Sequence, residues 1–186
     1  MSTGSFGPSA LATPANALTM IRVIATPVLL TMVLADGPSW AALGVWVGVA
    51  ITDVADGVVA RRQGATRSGA FLDPLADKVL VVGVLVALVA KGRLWWPPVV
   101  LIAVREIVVS GYRSWVGRRG VSVPARHWAK IKTVVQDVAV GMALAPIDAL
   151  GYRRSVAALL WVAVGLTIVT GAQYLIDGRR QIVGAV

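Results

Sequence analysis

The chain has 186 residues, 57% of them hydrophobic, and its mean hydropathy of +0.76 is too high for a soluble domain and fits a polytopic membrane protein. Its formal net charge is +9, but the cations fall in short clusters between apolar runs. That pattern argues against nucleic acid and for anionic lipid head groups and phosphorylated substrates. The absence of cysteine excludes disulfides and thiolate metal sites, and the single histidine, His127, argues against a histidine zinc site.

Residues 1–15 are small and polar and read as a cytoplasmic arm; without a basic start or an early apolar run they do not resemble a signal peptide. The first apolar span, about 16–35, carries Arg22 in its early turns and Pro27 mid-span, where proline is expected to kink a helix. Arg22 either snorkels to the interface or meets a phosphate or an acid. After a tight turn at 35–39, a second span covers about 40–61 and a third about 70–90, with Pro74 tolerated in its first turn. The stretch 91–98, KGRLWWPP, reads as a turn with Trp95 and Trp96 at the membrane interface. The fourth span carries Arg105 and Glu106, and the loop after it is the most basic part of the chain. A fifth span, about 129–147, carries Lys130, Lys132, Gln136 and Asp137, and a sixth covers about 155–177.

The expected architecture is therefore all-α: a short arm (1–15), a single six-helix transmembrane domain (16–180) and a tail (181–186), with no internal repeat. Lys and Arg concentrate in the 61–69 and 113–132 stretches and at Arg179 and Arg180, against Lys91, Arg93, Arg153 and Arg154 on the other side. The positive-inside bias puts the first group in the cytoplasm of a cell-membrane protein.

Between the second and third spans lies ITDVADGVVARRQGATRSGAFLDPLADKVL. It holds Asp53, Asp56, Asp73 and Asp77, four of only nine acids in the chain. An ionised carboxylate at the hydrocarbon boundary costs at least about 2.5–3.5 kcal/mol, so four together need compensation. Each pair, spaced by three or four residues, lies on one face of its own helix. Oxygen-only ligands suit Mg²⁺ or Mn²⁺, and four carboxylates make a two-metal site plausible. Gly57 leaves room for a ligand or backbone to approach. The plainer reading is structural pairing of Asp56 with Arg61, or of Asp77 with Lys78 or Arg67. In the fourth and fifth spans Arg105 and Glu106 form a mutual or an interhelical ion pair, or Arg105, Arg113, Lys130 and Lys132 converge on a phosphate near the carboxylates.

The run Asp53-x-x-Asp56-Gly57-x-x-Ala60-Arg61, then Gly69-x-x-x-Asp73-x-x-x-Asp77, resembles the signature of the CDP-alcohol phosphotransferase family. Asn16-Ala-Leu-Thr19 with Arg22 resembles the opening of its phosphatidylglycerol-type members, where this stretch helps hold the CDP part of the donor. Arg105-Glu106-Ile-Val-Val-Ser110-Gly-Tyr-Arg113 and Lys130-Ile-Lys132-Thr133-Val-Val-Gln136 are similar to the second half of the members that use glycerol 3-phosphate. The resemblance spans roughly residues 14–140 and implies transfer of a phosphatidyl group from CDP-diacylglycerol to glycerol 3-phosphate. It implies Asp53, Asp56 and Asp73 as metal ligands, and Asp77 as the base that also touches metal. Asn16, Thr19, Gly57, Ala60, Arg61, Thr66 and Gly69 would surround the donor, and a homodimer within membrane lipid is expected. Inositol phosphate or phosphatidylglycerol as acceptor, or a divalent-cation transporter, are the competing readings. The lack of repeat halves and of acids across the bilayer argues against transport.

Overall fold

The computed structural model describes the backbone of residues 14–63, 69–118 and 127–183, and the side chains of 20–52, 76–112, 115–116 and 131–176. Among these residues there are six helices and no strand: α1 (Pro14–Asp36), α2 (Trp40–Gln63), α3 (Gly69–Ala90), α4 (Trp96–Arg118), α5 (His127–Leu144) and α6 (Leu150–Val183). The all-α expectation holds, with α6 longer than the apolar run that announced it.

Local chemistry sets the helix ends. α1 closes on Gly37, whose φ of 76° a side chain would resist, and α3 is followed by Gly92 at 66°. Ser39 caps α2 by accepting the Ala42 N–H at 3.1 Å. α4 opens with Pro97 and Pro98 in its first turn, where no amide donor is missed. α1 runs on through Pro27, with the Thr31 hydroxyl donating to the Pro27 carbonyl at 2.9 Å.

Packing follows the chain's alternation. α1 lies against α2 and α3; α4 against α3 and α6; α5 against α2, α3 and α6. Leu29, Trp46, Leu85, Ile102, Val140 and Leu160, one from each helix, belong to a single buried core. Three turns meet at one end of the bundle: Lys91 donates to the Ala35 carbonyl, and Arg153 to that of Gly92. In the same corner Arg93 donates to the carbonyls of Ala145 at 2.8 Å and Ile147 at 2.6 Å.

The exterior is apolar. Ile24, Ile51, Val86, Ile107, Val134 and Ile168 are all exposed, Ile107 to 72%. Large apolar side chains outside as well as inside are what a lipid-facing surface requires and what water would penalise. By length and composition, one helical stretch among the described residues, Leu150–Ile176, is long and apolar enough to cross a membrane. Among the described residues, charged side chains of α1, α3, α4 and α5 line two cavities inside the bundle.

Candidate active site

These cavities lie where α3, α4 and α5 pack together. A cavity of about 110 Å³ is lined by Asp77 and Lys78 of α3, Glu106 of α4, and Lys132, Thr133, Gln136 and Asp137 of α5. A smaller one, about 20 Å³, is lined by Arg22, Trp46, Val49, Ala50, Asp77 and Asp137 among others. Asp77 and Asp137 line both, so two carboxylates from different helices face one polar space.

Helix register produces this grouping. Lys132 and Gln136, and likewise Thr133 and Asp137, are four apart and share a face of α5. Val49 and Ala50, beside Asp77 in the smaller cavity, lie about one turn before Asp53 in α2. The acidic turn of α2 therefore continues toward the end at which Asp77 sits. Arg22 is 3% exposed, which rules out snorkelling and leaves the reading in which it meets a phosphate or an acid, and Asp77 and Asp137 line the same small cavity. Trp46 ties α2 to α5 by donating its indole N–H to the Asp137 carbonyl at 3.1 Å.

Glu106 is the hub of the ion pairs. Its Oε1 accepts from Lys132 Nζ and from Arg105 Nη1, the latter at 2.8 Å, and its Oε2 is 3.8 Å from Lys78 Nζ. Lys78 also donates to the Ser110 hydroxyl, which donates to the Glu106 carbonyl at 2.5 Å. A carboxylate this buried is tolerated because its lone pairs are filled by cations. Both structural pairings raised for Arg105 and Glu106, mutual and interhelical, are present.

Of the residues expected to hold an acceptor phosphate, the structure brings Lys132 to the cavity. Arg105 is directed to α6: Nε donates to the Thr167 carbonyl and Nη2 to the Thr170 hydroxyl, both at 3.1 Å. Consecutive helical residues point about 100° apart, so Arg105 and Glu106 meet different neighbouring helices. Gly171 makes the α6 position possible, since a Cβ there would sit 3.3 Å from Arg105 Nε. The side chains of Arg113 and Lys130, in α4 and α5, lie outside the described residues. So do those of Asn16 and Thr19 in α1, of Asp53, Asp56, Ala60 and Arg61 in α2, and of Asp73 in α3. Gly57 and Gly69 are placed only as helical backbone, and Thr66 is outside altogether.

Sequence reasoning noted Gln136 and Asp137 but gave them no role, and missed Lys78 as a partner of Glu106. The four-residue spacing of α5 was the available signal; α3 and α4 share no pattern that pairs Lys78 with Glu106.

An apolar groove of about 750 Å³ runs between α2 and α5, lined by Trp40, Leu43, Val47, Ile51, Val138 and Met142 among others, and ends on Asp137. Asp137 thus stands where apolar groove and polar cavity meet.

A helical bundle with an apolar exterior, and a cavity lined by carboxylates and cations that shares Asp137 with an apolar groove, is the arrangement of a membrane-associated protein with polar and apolar sites side by side. The model of the CDP-alcohol phosphatidyltransferase family matches residues 12–169, and the chain belongs to that family of transferases. It is 38% identical over 184 residues to a protein of Mycobacterium tuberculosis (strain H37Rv) named probable phosphatidylglycerophosphate synthase, covering 96% of this chain and 87% of that one. It is 39% identical over 189 residues to the CDP-diacylglycerol–glycerol-3-phosphate 3-phosphatidyltransferase of Pseudomonas fluorescens, covering 90% and 94%. The Escherichia coli (strain K12) protein of the same name is 37% identical over 173 residues, covering 89% and 94%.

Proposed function

We propose that this enzyme transfers the phosphatidyl group of CDP-diacylglycerol to glycerol 3-phosphate, releasing CMP, in phospholipid biosynthesis. The observation that carries the reading is the juxtaposition of Asp77 with Lys132 and Lys78 on one small polar cavity at the end of the apolar groove. At about 110 Å³ it suits a small polar acceptor and is well below the roughly 300–1,000 Å³ of drug-sized sites.

Asp77 takes the proton of the acceptor hydroxyl. That oxygen attacks the phosphorus bearing the diacylglycerol, an O–P bond forms, the anhydride O–P bond breaks, and CMP leaves. Lys132 holds the acceptor phosphate, joined by Lys130 and Arg113; Arg105 acts through Glu106 rather than on the phosphate itself. The acyl chains of the donor lie along the α2–α5 groove. Gly57, Ala60, Arg61, Thr66 and Gly69, with Asn16 and Thr19, surround the CDP moiety.

The donor chemistry of the carboxylates fits a hard divalent cation: all oxygen, with Asp77 and Asp137 already facing one space. Asp53, Asp56, Asp73 and Asp77 would hold two ions, Mg²⁺ or Mn²⁺, which when bound supply charge neutralisation at the diphosphate. The single domain spans the cell membrane with all six helices and opens its site to the cytoplasm. Exposed apolar side chains on every helix and the distribution of Lys and Arg support this reading.

The test is CMP release by purified enzyme with CDP-diacylglycerol and a panel of acceptors. Glycerol 3-phosphate supports release, while glycerol, with no phosphate for Lys132, does not. Preferential use of inositol phosphate would reassign the acceptor, and no CMP with any acceptor would remove the transferase reading.

A further inference from the structure

One polar atom on the acceptor cavity has no place in the scheme above. Gln136 lines the cavity, is only 4% exposed, and its Oε1 has no hydrogen-bond partner among the described residues. Buried polar atoms of this kind are nearly always satisfied, so an orphan on a side chain that lines a cavity points to a partner that arrives with the ligand. An amide oxygen carries no charge for a phosphate and is too weak a base to take a proton in catalysis. What it offers is acceptance of a hydrogen bond, so its partner is an O–H or N–H donor.

Resting on the acceptor assigned above, we infer that Gln136 is a specificity-determining residue that accepts a hydrogen bond from the acceptor's second, non-reacting hydroxyl. The cavity presents three functions to one small molecule. The Lys132 ammonium, one turn from Gln136 on the same face of α5, meets a phosphate. The Asp77 carboxylate across the cavity takes the proton of the reacting hydroxyl. Gln136 reads whatever else the molecule carries. The ligand class that satisfies all three is a diol monophosphate. In glycerol 3-phosphate the C1 hydroxyl reacts and the C2 hydroxyl is the one left for Gln136. An acceptor without that hydroxyl leaves the amide oxygen buried and unpaired, and discrimination of this kind is strong because the penalty falls on the protein.

The test compares glycerol 3-phosphate with 3-hydroxypropyl phosphate, which keeps the phosphate and the primary hydroxyl and lacks the second one. Both are assayed with CDP-diacylglycerol on the full chain in detergent with Mg²⁺. The unaltered enzyme prefers glycerol 3-phosphate in kcat/KM by about 10-fold or more. Gln136→Met, similar in size and unable to accept a strong hydrogen bond, brings the ratio to within about threefold of unity by lowering the glycerol 3-phosphate value alone. Turnover of 3-hydroxypropyl phosphate in the same variant serves as the folding control. Should Gln136→Met lose that turnover, Gln136→Asn, which withdraws the amide by one methylene, decides by the same ratio. An unchanged ratio, with both acceptors falling together, overturns the inference and assigns Gln136 to packing or to a bound water. If the unaltered enzyme uses neither phosphate, the acceptor reading itself fails and the inference falls with it.

Discussion

Glu106 shows how one side chain sets the charge around it. It is 7% exposed and meets Lys132, Arg105 and Lys78, cations drawn from three helices. Removing its charge leaves them facing one another across a space from which water is largely excluded. Breaking a buried pair by deleting one partner costs about 3–5 kcal/mol, because the remaining charge is uncompensated. Glu106→Gln is therefore expected to destabilise the protein by about that amount in denaturant or thermal unfolding in detergent. A change below about 1 kcal/mol, the scale of a solvated ion pair, would show that water reaches these cations and that Glu106 is not their counter-charge. From sequence, Arg105 is either an ion-pair partner of Glu106 or, because arginine suits phosphate, part of a phosphate site. In the structure the pair forms, with Glu106 buried and Arg105 against Thr167 and Thr170 of α6. Nothing in the spacing says which of two neighbours faces inward until the packing partners of α4 are known.

Among elements, the spans were legible from their apolar runs, but their ends were less so. α6 extends over Leu150–Val183, against an expected 155–177, because Tyr152, Arg153 and Arg154 are polar enough to end an apolar window and still good enough helix formers to continue the helix. The stretch 91–98 is expected to be an interfacial turn; Trp95 and Trp96 are exposed, but the turn ends at Leu94–Trp95, and Trp96, Pro97 and Pro98 already belong to α4. Its main structural feature was not visible. Arg93 reaches the C-terminal end of α5, donating to Ala143, Ala145 and Ile147 carbonyls and to Asp148 Oδ1, the last at 2.5 Å. The last carbonyls of a helix have no intrahelical donors, and the guanidinium supplies that of Ala143 together with two in the turn that follows. The Arg93 side chain is 6% exposed and that of Asp148 84%, so the two ends of this ion pair are not equivalent. Arg93→Ala strands several carbonyls at about 1–3 kcal/mol each, whereas Asp148→Ala removes a solvated charge worth less than about 1 kcal/mol. Unfolding in detergent is expected to show a large loss for the first and a small one for the second. Equal losses would place the stabilisation in the ion pair and not in the cap.

For the molecule as a whole, the organising fact is an apolar exterior around a polar cavity where helices α3, α4 and α5 meet, with Arg22 of α1 beside it. Cations compensate part of the acidity: Arg22 shares the smaller cavity with Asp77 and Asp137, and Lys132 and Lys78 are occupied with Glu106. The carboxylates at the ends of α2 and α3 were the most legible feature of the sequence, since four acids in so hydrophobic a stretch need a reason to be there. Their spacing carries that reason only as far as a ligand set; which oxygens share an ion is decided by how α2 and α3 turn toward each other. Arg61, Arg62 and Arg67 lie nearby in sequence, so the alternative to metal is arginine. The two differ in what a chelator does. If divalent cations balance the aspartates and the donor's diphosphate, EDTA abolishes CMP release, and added Mg²⁺ or Mn²⁺ restores it. Asp77→Asn then loses turnover while retaining substantial affinity for CDP-diacylglycerol, and Asp56→Asn loses affinity as well, because it removes a ligand without removing the base. If arginines balance them, EDTA has no effect, and turnover persists in chelator with metal content verified as nil. Donor affinity in Asp56→Asn would then stay the same or rise, because an arginine is released to the diphosphate. The opposite signs for Asp56→Asn make donor binding a readout that does not depend on catalysis.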